Sequence, residues 1–94
     1  DERVRRAASY LAATVDEPFV MAKVAAHCGL SESRLGHLFR AELGTSPQRF
    51  SEQLRLDTAR SLLATTNLPV GEVARETGFA DALYFSRRFR KHFG

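Results

Sequence analysis

Apolar positions in the opening stretch fall at Val4, Ala7, Ala8 and Leu11, a spacing that lines one face of a helix and leaves Arg3, Arg6 and Ser9 off it. Asp16-Glu17-Pro18 breaks that pattern. Ala22 to Cys28 reads as a short helix halted by Gly29, a residue suited to the left-handed position after a helix end. Ser31 then offers an N-cap for a helix whose predicted buried stripe is Leu35, Leu38, Phe39 and Leu43, ending at Gly44. Ser46-Pro47 is a second start signal, a cap followed by proline at the first helical position. From there roughly twenty residues run without a breaker to Thr66, with Phe50, Leu54, Ala59, Leu62 and Leu63 at helical spacings. Asn67-Leu68-Pro69 ends that helix, and Val70 to Thr77 forms another short one stopped by Gly78. Asp81 caps a last helix in which Phe85, Phe89 and Phe93 recur every fourth residue. No strand-like alternation occurs, so the expected fold class is all-α.

The pattern repeats within the chain. Val24-Ala25-x-x-x-Gly29-Leu30 returns as Val73-Ala74-x-x-x-Gly78-Phe79, and Phe39-Arg40-x-x-Leu43-Gly44 returns as Phe89-Arg90-x-x-Phe93-Gly94. Each unit is a short helix, a glycine turn and a longer capped helix, which is the helix-turn-helix plan. Small Ala25 and Ala74 let the two helices of each unit cross closely. One such signal is weak, because any helical hairpin can carry it; two copies joined by a helix are far more specific. The expected organisation is one domain over 1–94, with a first helix-turn-helix at about 20–44, a linker helix at about 47–66 and a second helix-turn-helix at about 70–93. A linker of about twenty residues spans roughly 30 Å, close to the ~34 Å between successive major grooves on one DNA face.

Length and composition narrow the classes. The 94 residues are 44% hydrophobic and 27% charged, which fits one globular domain with a small core. A single cysteine, Cys28, excludes an intramolecular disulfide framework and reads as a small buried residue. No apolar run is long enough to cross a bilayer. The first residue is not Met, so the chain is expected to be part of a longer protein. His27, His37 and His92 are scattered, and neither a metal-ligand spacing, a paired-carboxylate site nor a phosphate-cradling glycine loop is present. The expectation is a non-enzyme without a cofactor.

Charge is uneven. The whole chain carries +3, yet residues 82–94 contain Arg87, Arg88, Arg90 and Lys91 and no acid. Basic residues also favour any helix C-terminus through the macrodipole, so the run by itself has two readings. Arginine dominates the cations twelve to two, and its fork suits phosphate and guanine edges. In the first longer helix Ser33, Gly36, His37 and Arg40 share an outward face, with Arg34 at its edge. Gly36 costs ~1 kcal/mol against alanine in mid-helix; either another molecule approaches closely there or a neighbouring helix crowds it. In the last helix Leu83, Ser86, Arg87 and Arg90 form the outward set, Ala82, Phe85 and Phe89 the opposite one, and Tyr84 and Arg88 the flanks.

The run Val73-Ala74-x3-Gly78-Phe79-x-Asp81-x2-Tyr84-Phe85-Ser86-Arg87-x-Phe89-Arg90-Lys91-x-Phe93-Gly94 resembles the signature of AraC/XylS-type bacterial transcription regulators. Val24-Ala25-x3-Gly29-Leu30-Ser31-x-Ser33-Arg34-Leu35 in the first unit agrees, as does Arg55-Leu56-x2-Ala59-x2-Leu62-Leu63 in the linker. The resemblance covers nearly the whole chain and implies a sequence-specific double-stranded DNA-binding domain. By resemblance, base-reading positions fall on Ser33, Gly36 and His37 in the first unit and on Ala82, Leu83 and Arg87 in the second. Gly36, Ala82 and Leu83 have no side-chain hydrogen bond to give, so readout in the second unit leans on Arg87, on Asp81 and on apolar contact with thymine methyls. Phosphate candidates are Arg34, Arg40, Arg49, Tyr84, Arg88, Arg90 and Lys91. The implied partners are promoter DNA and RNA polymerase, with no membrane, in the bacterial cytoplasm and at the nucleoid. The domain is expected to be a monomer whose parent pairs through a further N-terminal domain. A helical module that contacts RNA polymerase without reading DNA is the alternative.

Overall fold

The computed structural model describes residues Asp1–Gly94. It contains six helices: α1 (Glu2–Ala13), α2 (Met21–His27), α3 (Glu32–Leu43), α4 (Pro47–Thr65), α5 (Val70–Glu76) and α6 (Ala82–Phe93). The fold is all-helical, as the periodicity predicts. Local chemistry sets most ends. Asp1, Ser31, Ser46 and Asp81 each accept a hydrogen bond from a backbone N–H in the first turn of α1, α3, α4 and α6. Pro47 occupies the first turn of α4, where its missing N–H costs nothing.

The sequence repeat is also a repeat of backbone bonds. The Leu30 N–H donates to the Ala25 carbonyl at 3.0 Å, and the Phe79 N–H donates to the Ala74 carbonyl at 2.9 Å. Both bonds close back across a glycine with positive φ, 69° at Gly29 and 79° at Gly78.

The interior is divided. One cluster joins Val4, Ala7 and Leu11 of α1 to Val24, Ala25, Cys28, Leu35 and Phe39. The other joins Leu56 and Ala59 of α4 to Val73, Ala74 and Phe85. Helix α4 serves both: Phe50 and Leu54 pack on the first cluster, Leu62 and Leu63 on the second. Helices α1 and α3 pack on α4 from one lobe, α5 and α6 from the other. The result is 39 Å long and 23 by 21 Å across.

Two expectations are corrected here. Leu43 is 43% exposed rather than part of the buried stripe. It lies in the last turn of α3, in a shallow depression shared with Val4 and Ala8 of α1. Ala82 is exposed rather than facing the core; it is the first residue of α6, one turn ahead of buried Phe85. The buried polar set, Ser51, Arg55 and Thr77, has no counterpart in the apolar pattern. Cys28 does sit in the first cluster, and burial pushes its thiol pKa up, which keeps it a poor nucleophile.

Candidate nucleic-acid interface

Helix α3 presents Ser33, Arg34, His37 and Arg40 to solvent, with Leu35 and Phe39 buried on its other side. The cap at Ser31 fixes where this helix starts, and therefore which residues turn outward. Gly36 is half-buried among them. A methyl group built on Gly36 would meet only Met21 Cε, at 4.0 Å, an ordinary van der Waals distance. Crowding by a neighbouring helix therefore does not account for the glycine. Gly36→Ala is accordingly expected to stabilise the free domain by about 0.5–1 kcal/mol through helix propensity. Thermal unfolding of the two proteins checks this, and a lower Tm in the variant would restore the crowding reading.

Helix α6 presents Ala82, Leu83, Arg87, Arg90 and Lys91, and Leu83 is 58% exposed. Its inner face is a run of phenylalanines: Phe85 lies 5.6 Å from Phe89, and Phe89 lies 4.7 Å from Phe93, centroid to centroid. Phe79 from the turn packs edge-on against Phe85 at 5.0 Å. This aromatic spine holds α6 against α4 and α5 and so aims the basic side outward. Ser86 is half-buried rather than fully outward, and Asp81 is exposed but engaged in capping Leu83.

Not all of the α6 charge is free. The Arg88 Nε–H donates to Glu52 Oε1 at 2.8 Å, and the Tyr84 hydroxyl donates to the same oxygen at 3.1 Å. Burial and the neighbouring Glu52 carboxylate push the Tyr84 pKa up, so Tyr84 remains a proton donor in this pair. His92 Nε2 lies 3.8 Å from Asp57. Acidic residues of α4 therefore face the basic helix from behind, offsetting charge that the run of residues 82–94 shows as unopposed. Glu52 carried no local sequence signal, because its partners are 32 and 36 residues away. Arg49 comes to lie in one open groove with Arg88, Lys91 and His92, which places a first-turn residue of α4 in the basic surface of the second lobe.

The histidines occupy three different settings. His27 stacks on Tyr10 at 4.5 Å, His92 meets Phe93 edge-on at 4.6 Å, and His37 lies exposed on α3. No three His, Cys, Asp or Glu side chains converge as a metal site would require. No helix is long and apolar enough to cross a membrane.

Comparison with known proteins gives the same arrangement. The helix-turn-helix domain family matches residues 24–94. The arabinose operon regulatory protein of Escherichia coli (strain K12) is 48% identical over 92 residues, 97% of this chain and 32% of that protein. The chain thus spans about a quarter to a third of the length of the curated relatives it matches. A solved transcriptional regulator from Chromobacterium violaceum, described among AraC-type DNA-binding domain-containing proteins, superposes with a TM-score of 0.91 at 33% identity, covering 98% of this chain and 82% of that one. The DNA-binding domain of the global transcriptional factor AdpA, solved in complex with a target DNA, superposes with a TM-score of 0.91 at 25% identity, covering 97% of this chain and 82% of that one.

Proposed function

The chain belongs to the AraC-type family of helix-turn-helix domains, and on that premise we propose that it binds double-stranded promoter DNA sequence-specifically as the reading domain of a bacterial transcription regulator. One observation carries the reading: a continuous α4 holds two copies of the same turn, each followed by a capped helix with an exposed polar or basic face. In this reading α3 and α6 enter successive major grooves of one DNA face. The 39 Å long axis is sufficient for two surfaces one helical repeat of ~34 Å apart.

Ser33, Gly36 and His37 read bases in the first groove; Asp81, Ala82, Leu83 and Arg87 read them in the second. Ala82 and Leu83 supply apolar contact, suited to thymine methyl groups, and Arg87 supplies a two-pronged donor suited to guanine O6 and N7. Gly36 lets the backbone of α3 come close to the base edges. Arg34, Arg40, Arg49, Arg90 and Lys91 are exposed and serve as phosphate contacts. Tyr84 and Arg88 serve that role only by sharing or leaving Glu52. One domain engages both grooves as a monomer. Its parent protein, in the same reading, adds a further domain for pairing and meets RNA polymerase at promoters from the bacterial cytoplasm.

Footprinting on DNA selected from a randomised pool tests this. Two protected segments one helical turn apart are expected, with affinity falling steeply as salt rises because bound cations release counterions from the phosphates. Protection of one segment, or none, would remove the two-groove reading. Arg87→Ala is expected to weaken the selected site by about 1–3 kcal/mol while leaving random DNA nearly unchanged. An equal loss on both DNAs would make Arg87 a phosphate contact instead.

A further inference from the structure

Arg55 is 5% exposed near the middle of α4, and neither recognition surface uses it. Its Nε–H donates to Ser51 Oγ at 3.0 Å, one turn earlier on the same helix. Nη1 donates to the Val15 carbonyl at 2.8 Å and to the Thr77 carbonyl at 3.2 Å, and Nη2 to the Thr14 carbonyl at 3.5 Å. Thr14 and Thr77 are the C-terminal caps of α1 and α5. Carbonyls at helix ends lack intrahelical partners and carry partial negative charge, so a buried cation is well matched to them. The Ser51 bond orients the guanidinium, and the fork then reaches two loops at once, which a lysine ammonium on a single stem cannot reproduce.

The two loops belong to different lobes. Thr14 and Val15 begin the segment that feeds α2 and α3; Thr77 and Gly78 form the turn that feeds α6. They also approach closely: a methyl group built on Gly78 would lie 2.7 Å from the Val15 carbonyl oxygen and 2.8 Å from that of Glu17, and would overlap Arg55 Nη1. Elsewhere each lobe packs its own cluster on its own half of α4. We propose that Arg55 is a positioning residue that locks the angle between the two recognition helices, making the spacing of the two DNA half-sites part of what the domain recognises. This rests on the DNA-binding reading for its consequence, though not for the lock itself.

Two measurements on the full 94-residue chain separate those parts. The first uses spin labels at Ser33→Cys and Leu83→Cys in a Cys28→Ala background, comparing Arg55 with Arg55→Lys and Arg55→Met. A narrow interlabel distance distribution is expected with arginine and a clearly broader one in both variants, with helicity retained. An equally narrow distribution in the variants overturns the proposal. So does loss of helicity in Arg55→Lys, which keeps a buried cation within reach of a carbonyl and would show that arginine is needed for folding rather than for orientation.

The second measurement compares the selected DNA site with versions carrying one base pair more or fewer between the protected segments. The unaltered domain should bind the respaced sites about tenfold or more weakly, and Arg55→Lys should lose most of that discrimination. A variant weakened by the same factor at every spacing has lost only stability, and the proposal fails. If the unaltered domain selects no two-segment site, the DNA-binding reading fails while the spin-label result still decides the lock.

Discussion

Gly78→Ala is expected to destabilise the domain by about 2.5–5 kcal/mol, combining about 1–2 for a left-handed backbone on an alanine with about 1.5–3 for displaced charge-assisted hydrogen bonds. The structural reason is local. At φ 79° the new methyl would enter the space of the Val15 and Glu17 carbonyls, which are backbone, and of Arg55, which is tied at four points. None of these can step aside cheaply. Gly29 holds the equivalent turn of the first lobe at φ 69°, and a methyl group added there would have nothing within 4 Å. Gly29→Ala should therefore cost only the backbone contribution of about 1–2 kcal/mol. Urea unfolding of both variants is the measurement. A domain of this size has about 5–14 kcal/mol in total, so the second-turn variant should lose a large share of it and about 15–30 °C of Tm. Equal losses in the two variants would mean that the contact between lobes contributes nothing to stability.

The second large effect follows from the divided interior. Phe85 is the largest fully buried side chain of the second cluster, in contact with Phe79 and Phe89. Phe85→Ala should cost about 3–5 kcal/mol, and the loss should be confined. Amide exchange in α5 and α6 is expected to accelerate by orders of magnitude, while that in α1, α2 and α3 stays closer to its original rate, since their cluster contains no residue of the second lobe. Phe39→Ala should produce the mirror result. Uniform acceleration along the chain would show instead that α4 welds the lobes into a single cooperative unit.

The helices were legible in the sequence because most of their ends carry their own punctuation. Ser31, Ser46-Pro47 and Asp81 announce starts, and Gly29, Gly44 and Gly78 announce ends, through bonds made within a few residues. The outward faces of α3 and α6 were legible for the same reason, since a cap fixes the phase of the helix behind it. What lay between elements was not. Leu43 reads as a core residue by spacing, yet in the last turn of α3 it is only partly covered, in an open depression beside Val4 and Ala8 of α1. Ser51 and Arg55 stand outside the apolar pattern of α4, yet they are buried: two loops bring carbonyls to Arg55 from 22 to 41 residues away, and Ser51 accepts from it one turn earlier. The basic run on α6 was plain, whereas the carboxylate that holds Arg88 became visible only when α4 was laid beside it.

That carboxylate has a consequence for how a reader of DNA finds its address. Hold on arbitrary sequence comes almost wholly from phosphates neutralised and counterions set free. On the DNA-binding reading, an arginine already paired with Glu52 releases fewer of them, so Arg88 would add less grip than an unpaired arginine on the wrong sites that compete with the right one. Arg87, one position earlier, is exposed and unpaired, which in the same reading leaves it to a base edge. On the DNA-binding reading proposed above, Glu52 would trade raw adhesion for faster release from wrong sequence, leaving the choice of site to the base contacts.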